Sequence, residues 1–158
     1  MRMSVAGLWL GAALLAVEPA LAQDAEAPPN YGVVDFRATP GPGGYVVNLL
    51  SGGAVNTGEA IGPQCPGFVS NSPDVRLLYP TGTGQALTIA VTAANDTTLV
   101  VSAPDGVWHC NDDRVGTLNP SVTFDHPQAG RYEIWVGTFD GPTNYPAQLT
   151  ISERPSAQ

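Results

Sequence analysis

The chain has 158 residues, 14 acids, 6 basic residues that are all arginine, and a net charge of −8. Phosphate backbones and anionic lipid surfaces call for clustered cations, so this balance argues against nucleic acid and against a membrane surface as partners. The 18 glycines and 15 prolines speak against a helical bundle, and a 43% hydrophobic content in spaced runs speaks against a disordered chain.

Residues 1–22 read as a secretory signal peptide. Arg2 opens the segment, residues 5–17 form an apolar run, and Ala20-Leu21-Ala22 fits the small-x-small cleavage pattern. Gln23 is then the expected mature N-terminus. The run is short for a membrane span. A polar leader is expected over residues 23–30, ending in Pro28-Pro29, and is read as flexible. One β-domain is expected over residues 31–158, in the periplasm or outside the cell. Export also decides how Cys65 and Cys110 are read. They are the only cysteines, neither lies in a C-x-x-C unit, and an oxidising compartment favours a structural disulfide between them.

From residue 31 onward, short apolar runs alternate with turn residues, and no helical period lasts three turns. Residues 33–36 and 45–50 give the first two strands, with Pro40-Gly41-Pro42-Gly43-Gly44 turning between them. Residues 54–67 carry scattered Gly and Pro and read as irregular connections. Further strands are expected over 74–79, 85–93, 97–103, 107–110, 121–124, 131–138 and 148–153. The clearest has Leu87, Ile89 and Val91 on one face and Thr88 and Thr92 on the other. About eight or nine short strands with turns every eight to twelve residues predict an all-β, antiparallel sandwich or barrel.

The stretch from Asn95 to Phe124 concentrates carboxylates and amides around two turns. Calcium takes six to eight hard oxygens at flexible geometry, so Asp105, Asn111, Asp112 and Asp113 are the candidate calcium ligands, with Asp96 or Asn119 further out. Adjacent Asp112 and Asp113 repel each other, and a divalent ion would offset that cost. Solvated turn residues are the competing reading, because Asp and Asn favour turns without any metal.

Asp96-Thr97-Thr98-Leu99-Val100-Val101, Pro104-Asp105-Gly106, Asn111-Asp112-Asp113 and Gly130-Arg131-Tyr132-Glu133-Ile134-Trp135-Val136-Gly137 together resemble the bacterial pre-peptidase C-terminal domain. The likeness covers roughly residues 86–152. It implies a jelly-roll β-sandwich of the kind appended to exported enzymes, some of which bind calcium or matrix polymers. Here no catalytic domain precedes the sandwich, so the expectation is a free-standing version.

Catalysis finds little support in the residues. The two histidines are His109 and His126, and there is neither a G-x-S-x-G elbow nor an H-E-x-x-H zinc motif. Trp108, Trp135, Phe139 and Tyr145 are the aromatics of interest for binding. Trp135 shares its strand face with Arg131, Glu133 and Gly137, a polar face from which a tryptophan could stack on a sugar or peptide. The alternative is a second hydrophobic layer near the bridge. The expected role is a non-catalytic, exported accessory or interaction domain, calcium being its candidate cofactor and a protein or polysaccharide its partner. The alternatives are a carbohydrate- or polymer-binding module using Trp135 and Trp108, and a small secreted hydrolase.

Overall fold

Alternating apolar residues of two sheets meet face to face and build the core. The computed structural model describes residues 23–37, 43–80 and 84–155. The expected signal peptide and the tips of two expected turns, 40–42 and 81–83, lie outside the described residues.

The strands are β1 (Val33–Asp35), β2 (Tyr45–Ser51), β3 (Val55–Asn56), β4 (Phe68–Val69), β5 (Val75–Tyr79), β6 (Gln85–Ala93), β7 (Thr97–Ser102), β8 (Trp108–Asn111), β9 (Ser121–Phe124), β10 (Gly130–Thr138) and β11 (Tyr145–Pro155). A single helical turn, α1 (Thr57–Ala60), follows β3. The Asn56 side chain caps it by accepting from the Glu59 N–H.

β10 is the hub of the first sheet. It pairs with β7 over Glu133–Thr138 along one side, and with β5 over Gly130–Ile134 and then β4 at Thr138 along the other. β8 extends the sheet beyond β7, β1 lies beyond β5, and β3 beyond β4. The second sheet runs β2-β11-β6-β9, with β11 pairing along both neighbours. All pairings are antiparallel except β1 with β5, which run parallel. Among the described residues there are eleven strands, more than the eight or nine expected. The additions are β3 and β4, two-residue strands too short to show a period.

Inward residues of the first sheet (Val75, Leu77, Tyr132, Ile134, Val136, Leu99, Val101) meet those of the second (Leu87, Ile89, Val91, Leu149, Ile151). Each fully buried side chain of this size contributes roughly 1.5–3 kcal/mol. Three aromatic contacts line one end of the core: Tyr79 on Tyr132 at 6.2 Å, Phe124 on Tyr132 at 5.2 Å, and Phe36 on Tyr79 at 5.5 Å.

The two outer faces differ. On the second sheet, Val46, Leu50, Thr92, Gln148 and Thr123 stand in solvent. The outer face of the first sheet carries a separate buried cluster of Val69, Val100 and Trp135, with Ala25, Val55, Ile61, Trp108 and Cys110 packed against it. Residues 54–67, expected as irregular connections, supply much of this cover through β3 and α1, together with β4 that follows them. The backbones approach so closely that a Cβ on Gly137 would stand 2.5 Å from the Phe68 carbonyl oxygen. Cys65 is bonded to Cys110, which fastens the cover to β8. Closing a loop of that length stabilises the fold by about 4 kcal/mol in the chain-entropy account.

Residues 23–30, expected as a flexible leader, instead form a strap across the same sheet. Arg76 Nη2 donates to the carbonyls of Ala25 (3.0 Å) and Ala27 (3.1 Å). The N–H of Asn30 donates to the Pro73 carbonyl at 2.8 Å and that of Tyr31 to the Asp74 carbonyl at 2.7 Å. A polar sequence is docked here because the sheet and Arg76 satisfy its backbone groups while Ala25 packs against the outer cluster.

Candidate functional site

The expected binding aromatics differ in exposure: Trp135 is buried, Trp108 and Tyr145 are half-buried, and Phe139 is exposed. Trp135 is completely buried. Its strand face reads as polar only because Glu133 and Arg131 flank it, and both are accounted for. Glu133 is itself buried, with Oε1 accepting from Arg76 Nε at 2.5 Å and lying 3.0 Å from Arg131 Nε. Burial pushes the Glu133 carboxyl up, and the two guanidiniums pull it back. Trp108 is half-buried and packs on Trp135 with ring centres 5.4 Å apart. Sugar stacking on Trp135 is therefore overturned, and Trp108 is engaged as its packing partner. Tyr145 opens β11, its carbonyl accepting from the Ser51 hydroxyl at 3.1 Å.

The expected calcium ligands are not brought together. Asp105 lies in the turn before β8, where Oδ1 accepts the Val107 N–H at 3.0 Å. Asn111, Asp112 and Asp113 lie at the other end of that strand. Asn111 Oδ1 is occupied by the Ser121 N–H at 2.9 Å, and Asn119 Oδ1 by the Ala93 N–H at 2.8 Å. Extended backbone rises about 3.3 Å per residue, so β8 holds the two halves of the set apart. Among the described residues, no group of three or more His, Cys, Asp or Glu could hold a metal ion.

A different grouping does form at the Asn111–Asp113 end. The Asp96 carboxyl is raised, first by burial and then by the charges of Asp113, Asp140 and Asp112. Sequence reasoning missed Asp140, which lies in the loop between β10 and β11. The fold brings it in through the Phe139 N–H, which donates to the Asp96 carbonyl at 3.4 Å.

Between Asp113 and β9 a tight hairpin projects from the same end. Arg114 bridges Thr117, whose N–H donates to the Arg114 carbonyl at 3.0 Å, with Gly116 at φ +80°. Arg114 Nε donates to the Asn119 carbonyl at 3.0 Å, and the Thr117 hydroxyl accepts the Asn119 N–H at 2.9 Å. The loop is thus braced from within. At its tip Val115 is fully exposed, and Leu118 and Phe139 are exposed beside it. The Thr97 N–H ties Leu118 to this end through its carbonyl, at 3.3 Å.

The remaining candidates do not converge on a reaction centre. His109 packs edge-on against Phe124 at 4.8 Å, and His126 lies exposed in the loop before β10. An open cleft of about 490 Å³ between the strap and the β7–β8 turn includes Glu26, Arg131 and Glu133. Arg131 links its charges, Nη1 donating to Glu26 Oε2 at 3.0 Å and Nε lying 3.0 Å from Glu133 Oε1, while Glu133 Oε2 is buried without a hydrogen-bond partner.

The segments that resemble the pre-peptidase C-terminal domain map onto β7, the β7–β8 turn, the end of β8 and β10. Neither the protein-family models nor the curated proteins compared with the chain give a match. Among solved structures, Aeromonas hydrophila PliG, a periplasmic lysozyme inhibitor of g-type lysozyme, is similar at 16% identity and a TM-score of 0.41. The alignment covers 78% of this chain and 96% of that one. At that score the likeness carries no argument about this chain.

Proposed function

We propose that this chain is an exported, non-catalytic interaction domain that binds a basic protein through the end of the sandwich bearing Val115, Leu118 and Phe139. The observation that carries this reading is the braced hairpin, which holds a fully exposed Val115 at the same end as Asp96, whose carboxyl is raised first by burial and then by the charges of Asp113, Asp140 and Asp112. An apolar tip pre-ordered by internal hydrogen bonds loses little entropy on docking. The surrounding Asp96, Asp112, Asp113 and Asp140 would steer a cationic partner and reject acidic ones. Arg114 is the lone basic residue in that loop, and it is turned to the Asn119 carbonyl. The −8 net charge of the chain adds long-range attraction of the same sign.

The test is a binding measurement against one basic and one acidic globular protein of equal size. Binding to the basic protein should weaken steeply with salt. It should fall about tenfold or more in Val115→Asp, and less in the pair Asp112→Asn with Asp113→Asn. Equal binding to acidic and basic probes, or binding untouched by Val115→Asp, would sink the proposal.

A further inference from the structure

The strap holds a residue whose chemistry goes beyond docking. Gln23 is only 7% exposed, and its side-chain Nε2 is buried without a hydrogen-bond partner. A buried amide donor left without a partner destabilises the fold. The residue is held in place by its neighbours: its carbonyl accepts the Ala25 N–H at 3.2 Å, and the Asp24 N–H is fixed to the Asn71 carbonyl at 3.0 Å. Gln23 is also the residue that follows Ala20-Leu21-Ala22.

We infer that Gln23 is a modification site. Once residues 1–22 are removed, its α-amine closes on its own side-chain amide to give a pyroglutamate N-terminus. This rests on the export reading above. The amine nitrogen attacks Cδ, a new N–Cδ bond forms, and the Cδ–Nε2 bond breaks. The proton given up by the amine leaves with Nε2 as ammonia, so no oxidant, reductant or second substrate is needed. Both reacting groups belong to one residue, which gives ring closure the advantage of an intramolecular reaction.

One feature of the fold favours the product: the atom expelled is the one that lacks a partner. The lactam is neutral and shorter by one nitrogen.

The experiment is mass spectrometry and stepwise N-terminal degradation of the full chain, exported with its own leader and freshly harvested. The expected result is an N-terminal peptide that begins at residue 23, is lighter by one ammonia and is blocked to degradation. Gln23→Asn, which would need a four-membered ring, should give a free, sequenceable terminus at residue 23. A wild-type peptide that begins at Gln23 with a free amine and an intact amide overturns the cyclisation and leaves export standing. A peptide that begins at Met1 overturns both, and one that begins at any other residue overturns the cyclisation.

Discussion

The outer faces of the two sheets receive opposite treatment. The second sheet leaves hydroxyl, amide and aliphatic side chains in water, and β2 and most of β6 and β11 show it by alternation. The first sheet is covered: the strap, residues 54–69 and the disulfide lie across β10, so that strand is buried on both sides from Tyr132 to Thr138. Strands buried on both faces lose the period-2 signal, because no side is left for polar residues to mark. What looks polar on such a strand is paired. Glu133 is the example, held by Arg76 and Arg131.

The sharpest way to break this contrast is Trp135→Ala. Removing the centre of the covered layer should cost about 3–5 kcal/mol, read as a lowered midpoint in urea unfolding. A loss below about 1 kcal/mol would mean that the outer layer of the first sheet is not packed.

A smaller effect should come from Asp74, which sits where strap and sheet meet. It is 2% exposed; Oδ2 accepts the Val136 N–H at 2.7 Å and Oδ1 accepts Asn30 Nδ2 at 3.1 Å. Burial raises its carboxyl to about 6, above the ordinary value of 3.8, and the hydrogen bonds from Val136, Asn30 and Ser70 partly oppose that rise. A carboxyl raised in the folded state favours the protonated form. Its stabilising contribution is present below pH 3.8 and is lost as the pH rises through about 6. Relative to Asp74→Asn, the wild type should therefore lose stability between pH 4 and pH 7, by up to about 3 kcal/mol. Parallel stability–pH curves for the two proteins would refute the assignment.

The smallest effect should be on the bare face. Gln148→Lys, on the outer side of β11, should change stability by less than about 0.5 kcal/mol in the same assay. A larger loss would show that this face is covered too.

The same contrast explains what was legible in the sequence. The second sheet and the inner face of the first could be read directly, since Leu87, Ile89, Val91, Tyr132, Ile134 and Val136 recur at every second position and all are buried. The disulfide could be read from export and cysteine count. The cover could not, because β3, α1 and β4 span two, four and two residues, too few for any period to register. Two signals did point to it. Cys65 lies within residues 54–67, and Gly137 follows the large residues Tyr132 to Val136 on β10. The acidic end was half legible. Asp112 and Asp113 were conspicuous, but Asp140 joins them only through the return of the chain after β10.

The disulfide sits in the smaller cluster and not between the sheets. Thiol oxidation therefore acts on the lid of the molecule and leaves the sandwich interior to hold itself. A chain retained where thiols stay reduced would keep its β-interior while its outer flap, with Cys65, worked loose over Trp135. Proteases would meet that flap first once the bond is reduced.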